Sequence, residues 1–161
     1  MRNIVLARID DRLIHGQIAT AWTKTTSATK IVIADDPLTK DTFTQRLLRA
    51  AAPHDITVEI GTVEAMAAYL LEEGDPRERI ILLTKVPGVM EQLIAAGVDI
   101  KKIILGGMGM KAGRKRFNKN VSASPEEVEC MKRLVGSGID IQYQLVPREL
   151  PVNANKLLWE G

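Results

Sequence analysis

An α/β fold, with a mostly parallel central sheet and helices on both faces, is predicted by three features of the sequence. Short apolar runs alternate with stretches of helical periodicity along the chain, the pattern expected of repeated βαβ units. Most of these runs are almost wholly apolar, as strands covered on both faces must be. The helical stretches also carry their own punctuation, with capping residues at their starts and glycines at their ends.

The first strand candidate is Ile4–Ile9, followed by a helical pattern in which Ile14, Ile18, Ala21 and Trp22 fall on one face. The second is Lys30–Ala34, after which Asp36-Pro37 places an N-cap residue before a proline at the first helical position. Ile56–Ile60 is the third; Thr62 then opens a helix running to Leu71, with Gly74 as its stop. Arg79–Thr84 is the fourth, and the helix opened by Pro87 reaches Ala96 and ends at Gly97. After the fifth candidate, Lys102–Leu105, Ser124-Pro125-Glu126-Glu127 has capping-box spacing ahead of Val128, Met131, Leu134 and Val135.

The last candidate, Ile139–Val146, differs from the others. Ile139, Ile141, Tyr143 and Leu145 alternate with Asp140, Gln142, Gln144 and Val146, so the run reads as an edge strand open to antiparallel pairing. The tail from Pro147 to Gly161 has a short helix around Asn153–Trp159. No linker, low-complexity tract or fixed-period repeat interrupts the chain, and residues 1–161 read as one domain.

Composition narrows the function. The 161 residues are 45% hydrophobic and 26% charged, with only 4% aromatic, so a packed core must be built from Ile, Leu, Val, Ala and Met. A net charge of +2 gives no global reason to bind nucleic acid or an anionic membrane. The single cysteine, Cys130, cannot form an internal disulfide; its helical setting marks it as a buried, inert thiol. No apolar run approaches a membrane span, and the N-terminus enters a strand without a signal-peptide layout. A cytoplasmic protein without direct membrane insertion is expected. Two histidines and one cysteine offer poor material for a metal site, and no cofactor is expected.

The chemistry concentrates in Arg8-Ile9-Asp10-Asp11-Arg12-Leu13-Ile14-His15-Gly16-Gln17. A potentially nucleophilic imidazole, two guanidiniums suited to phosphate and the start of a helix fall within ten residues. Free imidazole titrates near pH ~6.5, so much of it is unprotonated at neutrality. Arg8 and Arg12 are placed to bind phosphoryl oxygens, each charge-assisted hydrogen bond contributing roughly 1.5–3 kcal/mol. Backbone N–H groups at Gly16 and Gln17 would add donors, and Gly16 leaves room for another protein's active site. Asp10 or Asp11 would orient an arginine or fix the imidazole tautomer. The plainer alternative is a locally satisfied histidine beside a solvated salt-bridge cluster. His54, in Ala52-Pro53-His54-Asp55, takes that plainer reading as an exposed residue.

The same segment resembles the signature of the IIB components of the mannose/fructose/sorbose family of bacterial phosphoenolpyruvate-dependent sugar phosphotransferase systems. The likeness extends along essentially the whole chain. It takes in Lys30-Ile31-Val32-Ile33-Ala34-Asp35-Asp36, Gly106-Gly107-Met108 with Gly113-Arg114-Lys115, and Ile139 to Pro147. Ile18 stands where the family commonly has valine, a conservative departure. The resemblance implies that His15 accepts a phosphoryl group, on Nδ1, from a phosphohistidine of the IIA protein. It then passes the group to a sugar entering through the IIC/IID membrane permease, with Arg8 and Arg12 stabilising the phosphate. The implied protein is a protein-phosphohistidine–sugar phosphotransferase, cytoplasmic and peripherally associated with that permease.

From Lys111 to Lys119 there are five basic residues and no acids: Lys111, Arg114, Lys115, Arg116 and Lys119. Lys111, Arg114, Lys115 and Arg116 are the expected docking contacts for an acidic partner, drawn in by electrostatic steering. The alternative is a non-enzymatic module using loop 111–119 to bind an acidic partner or nucleic acid. Phe117 is the only aromatic nearby and no nucleic-acid motif is present, so nucleic acid is not expected as a partner. A phospho-receiver domain would need an aspartate after the third strand, where this chain has Gly61-Thr62.

Overall fold

The central strands are where the apolar runs place them. A computed structural model describes residues 1–159; residues 160 and 161, the end of the predicted domain and tail, lie outside the described residues. The strands β1 (Ile4–Asp10), β2 (Lys30–Ala34), β3 (Thr57–Gly61), β4 (Ile80–Thr84) and β5 (Lys102–Gly107) match their sequence candidates to within about two residues. Two short strands were not anticipated, β6 (Lys115–Arg116) and β7 (Ser122–Ala123), which form a small antiparallel pair. β8 (Asp140–Tyr143) and β9 (Val152–Asn153) complete the set among the described residues.

The main sheet runs in the order β3-β2-β4-β1-β5-β8-β9. Its neighbours pair in parallel as far as β8, and only β8–β9 is antiparallel. This corrects the expectation for Ile139–Val146. β8 is shorter than that run, lies parallel to β5 and is not the edge; the antiparallel edge strand is β9. Alternation reflected the different coverage of its two faces, with Ile141 buried and Asp140 exposed, and could not distinguish an edge from a next-to-edge position.

The two faces carry separate cores because side chains alternate along each strand. Ala7, Ile9, Val32 and Ala34 face α3 (Val63–Leu71), α4 (Pro87–Ala95) and α5 (Pro125–Gly136), meeting Met66, Leu70, Met90, Leu93, Met131 and Leu134. The short α6 (Ala154–Leu158) adds Leu158 to the same side. Leu6, Ile31, Ile33, Ile81 and Leu83 face the opposite layer, meeting Ile18, Trp22, Leu38 and Leu48. That layer holds α1 (Thr23–Thr26), which continues a π-helical stretch at Ile18–Trp22, and α2 (Thr42–Ala51). Every residue of β4 is buried, as a strand sandwiched between two layers requires. Truncating a leucine such as Leu82 to alanine there would cost about 2–5 kcal/mol.

Several helix ends follow the sequence. Thr62 accepts from Ala65 N, and the Ser124–Glu127 capping box is complete in both directions. The Asp36-Pro37 start is corrected. It opens only a 3-10 turn, Pro37–Lys40, and α2 begins after Asp41, whose side chain caps Thr44 N. Asp36 instead accepts from Val63 N at 2.8 Å, and Asp35 from Leu38 N at 2.9 Å. The acids ending β2 are therefore occupied as caps.

β1 lies between β4 and β5. The chain leaves β1 on the α1/α2 side and leaves β4 on the α3/α4 side. Adjacent strands whose connections depart to opposite faces open a crevice at their C-terminal ends, the usual ligand position in such sheets.

Candidate active site

Asp10, the last residue of β1, stands at this C-terminal edge of the sheet, on the strand between β4 and β5. It is 0% exposed, yet its two oxygens take five hydrogen bonds. Oδ1 accepts from Arg12 N at 3.1 Å and Arg12 Nε at 2.9 Å. Oδ2 accepts from Arg12 Nη2 at 2.8 Å and Arg8 Nη2 at 3.3 Å, and lies 3.1 Å from His15 Nε2. Burial alone would raise the Asp10 carboxyl; the bonds to His15 and Arg12 and the charge of Arg8 outweigh it and hold the group far below the usual carboxylate range.

The local chain path brings these groups together. Leu13 N donates to Asp10 O at 2.9 Å, closing a tight turn, and Leu13 takes the left-handed φ of 57° with its side chain 2% exposed. A non-glycine residue in that region is held there by its surroundings, here by burial in the core beside Ile14 and Ile18. The turn delivers His15 to the helix start, where its carbonyl accepts from Ala19 N at 2.8 Å. Gly16 and Gln17 then form the first turn, whose N–H groups precede the intrahelical ladder. A β-carbon added at Gly16 would meet nothing within 4 Å, so this side of the site is open.

An ionised carboxylate can only accept hydrogen bonds. His15 Nε2, facing Asp10, must therefore carry the ring proton, which leaves the lone pair on Nδ1. Of the two acids the sequence left undecided, Asp10 is the one that contacts His15. Asp11 instead accepts from Gly109 N at 2.7 Å.

Arg8 and Arg12 occupy different levels. The Arg12 side chain is 43% exposed, so its guanidinium reaches solvent while gripping Asp10. Arg8 is 0% exposed, which corrects its expected place beside a bound phosphate. It donates to Gln144 O at 2.8 Å and Leu145 O at 3.1 Å, and stacks over the Trp22 ring 5.0 Å from its centroid. Trp22 Nε1 donates to the same Leu145 carbonyl at 3.0 Å. Arg8 thus ties Asp10 to the loop after β8, and burial pulls its guanidinium down from its ordinary value while Asp10 opposes that shift. Among the described residues Arg8 Nε has no hydrogen-bond partner. It is pressed against Gly106, where a β-carbon would lie 2.6 Å from it. The β1–β5 register shifts at this point, from Ile9↔Leu105 to Asp10↔Gly107, leaving Gly106 as the extra residue.

The basic loop divides in the same way. Lys111, Lys115 and Arg116 are exposed, as docking contacts must be. Arg114 is not: its side chain is 2% exposed and pairs with Glu127 of α5 at 2.8 Å. This corrects its placement in the docking set, because a buried guanidinium whose three nitrogens are all engaged inside the fold has none to offer a partner. His54 is exposed, and Cys130 is buried with its thiol pushed up to about 11 by burial and by Glu91. Sequence reasoning did not identify the support from Gln144, Leu145 and Trp22. The available signals were a tryptophan in an aromatic-poor chain and the Gly106-Gly107 pair.

Residues 4–161 match the model of the PTS system sorbose subfamily IIB component. The sorbose-specific EIIB component of Klebsiella pneumoniae is 33% identical over 150 residues, covering 93% of this chain and 92% of the relative. The mannose-specific EIIAB component of Escherichia coli (strain K12) is 37% identical over 143 residues, covering 89% of this chain. The match spans only 44% of that longer relative. The crystal structure of the IIBSor domain of the sorbose permease from Klebsiella pneumoniae superposes with a TM-score of 0.89 at 33% identity, covering 94% of this chain and 93% of that one. By sequence and by fold, the chain belongs to the sorbose subfamily of IIB components of the sugar phosphotransferase system.

Proposed function

We propose that this chain is a cytoplasmic phosphocarrier in which His15 Nδ1 accepts a phosphoryl group from a IIA phosphohistidine and passes it to a sugar entering through IIC/IID permease components. The observation that carries this reading is the contact between His15 Nε2 and the buried Asp10 carboxylate. It keeps the proton on Nε2 and presents Nδ1 as the nucleophile.

In the first step the Nδ1 lone pair attacks phosphorus in line as the donor's N–P bond breaks. The ring of His15 gains positive charge, and Nε2–H remains donated to Asp10, whose negative charge compensates it. Arg12 and the N–H groups of Gly16 and Gln17 supply donors to the equatorial phosphoryl oxygens, where charge spreads during transfer. Arg8 acts through Asp10 and the 144–145 loop, not on the phosphate itself. In the second step the oxygen of a sugar hydroxyl attacks phosphorus, the Nδ1–P bond breaks to return the neutral imidazole, and the hydroxyl proton passes to water. Lys111, Lys115 and Arg116 form the docking edge for the IIA partner. The fused EIIAB architecture named for the mannose-specific relative favours a IIA partner for this chain as well.

The test is a reconstituted relay with radiolabelled phosphoenolpyruvate, the general phosphotransferase proteins and a mannose-type IIA. Acid-labile, base-stable label on the chain is expected, absent in His15→Ala and retained in His54→Ala. Label that survives in His15→Ala would overturn the assignment.

A further inference from the structure

Arg114 has no place in the docking surface, and its contacts point to another task. Its guanidinium grips the Glu127 carboxylate with two bonds, Nε to Oε1 at 2.9 Å and Nη2 to Oε2 at 2.8 Å. Nη1 donates to Gly109 O at 2.7 Å and lies 3.7 Å from Asp11 Oδ2. Asp11 Oδ2 also accepts from Gly109 N. Both backbone groups of Gly109 are thereby held, one by Asp11 and the other by Arg114. Glu127 is in turn fixed, because its Oε1 accepts from Ser124 N at 2.9 Å in the capping box of α5.

These contacts form a continuous chain from the start of α5, through Glu127, Arg114 and Gly109, to Asp11. Asp11 is covalently joined to Asp10, which contacts His15. The loop is also pinned one step nearer the site, where Asp11 N donates to Gly107 O at 3.0 Å. Gly107 itself packs against Asp10 Oδ1 and Arg12, at 3.0 and 3.3 Å from an added β-carbon. Burying a guanidinium costs free energy unless its donors are met. A surface loop needing only local order has simpler means available, such as the turn made by Arg114 N to Lys111 O.

We propose that Arg114 is a positioning residue for phosphoryl transfer. With Glu127 and Asp11 as its anchors, it clamps the loop after β5 onto the turn that carries Asp10, Arg12 and His15. This inference rests on the assignment of His15 as the phosphoryl acceptor. Arg114 does not touch the phosphate; it sets where Asp10 and Arg12 sit relative to the imidazole.

The test compares wild type, Arg114→Ala and Glu127→Gln with two donors: phosphorylated mannose-type IIA, and phosphoramidate, a small molecule that needs no protein docking. With phosphoramidate the P–N bond of the donor breaks, the Nδ1–P bond forms and ammonia leaves. Arg114→Ala is expected to lower the maximal rate with both donors, by roughly tenfold to a hundredfold, the scale of small misplacements at reacting groups. Glu127→Gln, which keeps the cap and one acceptor, should fall in the same direction by less. The His15 Nε2–H resonance in 15N NMR should shift or broaden in Arg114→Ala.

Thermal melting identifies any loss due to unfolding. If Arg114→Ala does not fold, the phosphoramidate rate and the His15 Nε2–H resonance of Glu127→Gln decide the matter. An unchanged phosphoramidate rate in a folded variant overturns the proposal. So does a change confined to the half-saturating IIA concentration, which would return Arg114 to docking. Wild type that takes no label from either donor would instead overturn the His15 assignment.

Discussion

The Asp10 carboxylate lies 3.1 Å from His15 Nε2 and is wholly buried beneath it. One oxygen, Oδ2, joins the imidazole to two arginines, and this shared contact gives the site both its tautomer and its rigidity. The arrangement follows the logic of a carboxylate that orients a catalytic histidine through the nitrogen not used in reaction.

That contact has a consequence for stability. Burial opposes ionisation of Asp10, but His15, Arg12 and Arg8 prevail and depress its folded value. A carboxyl whose folded value is depressed contributes stability above its unfolded value, about 3.9, and loses it as pH falls toward the folded value. Asp10→Asn at neutral pH should cost roughly 3–5 kcal/mol, because it leaves the buried Arg8 without its counter-charge. Urea denaturation from pH 7 to 3 should show a constant gap between wild type and variant down to about pH 5, narrowing below about pH 4. A gap independent of pH across that range would show that the carboxylate's charge is not the source.

Gly106 is predicted to tolerate no side chain. A β-carbon there would lie 2.6 Å from Arg8 Nε and still closer to Cζ and Nη2. Arg8 is fully buried and fixed by two carbonyls, so it has nowhere to retreat. Gly106→Ala should lose about 1–3 kcal/mol by overpacking and slow phosphoryl acceptance, since displacing Arg8 displaces Asp10. At Gly107 the nearest contact is 3.0 Å, and alanine should be milder on both measures. Equal stability and equal rates for Gly106→Ala and wild type would show that Arg8 is not held against this residue.

Much of the frame was legible because it depends on local patterns. Apolar runs located the strands from β1 to β5, and Ser124 with Glu127 located the start of α5. The segment Arg8 to Gln17 located the side chains that cluster around Asp10 in the candidate site. What the pattern could not supply was which side chains turn inward. Arg8 and Arg12 look equivalent in sequence, but Arg8 shares its strand face with Leu6 and points into the layer beside Trp22. Arg12 lies beyond the strand, on the turn, and reaches solvent. Arg114 stands among exposed lysines, and only the arrival of Glu127 on the next helix makes its burial possible. Both outcomes depend on partners more than ten residues away, which charge counting along the chain does not register.

Arg12 is predicted to act through the shape of its guanidinium as well as its charge. It spends Nε and Nη2 on Asp10, a two-pronged grip that a lysine ammonium cannot reproduce. Arg12→Lys should still fold, since the lysine keeps a positive charge at a side chain that is 43% exposed, and Arg8 continues to pair with the buried Asp10. Its maximal transfer rate should nevertheless fall by roughly tenfold or more, the scale of losing one oriented donor to a developing charge. Single-turnover labelling at saturating IIA measures this, and an unchanged rate removes Arg12 from the phosphate.

The exposed cations of the basic loop should behave in the opposite way. Lys111, Lys115 and Arg116 are exposed, so their effect on an approaching acidic partner is long-range and screened over about 10 Å at 0.1 M salt. Changing all three to alanine should raise the IIA concentration needed for half-maximal labelling, most at low ionic strength, with the deficit shrinking as salt is added. The rate at saturating IIA and the rate with phosphoramidate should stay at the wild-type level, because none of the three belongs to the network around Asp10. A half-saturating concentration that does not move, or a deficit indifferent to salt, would place the docking surface elsewhere on the molecule.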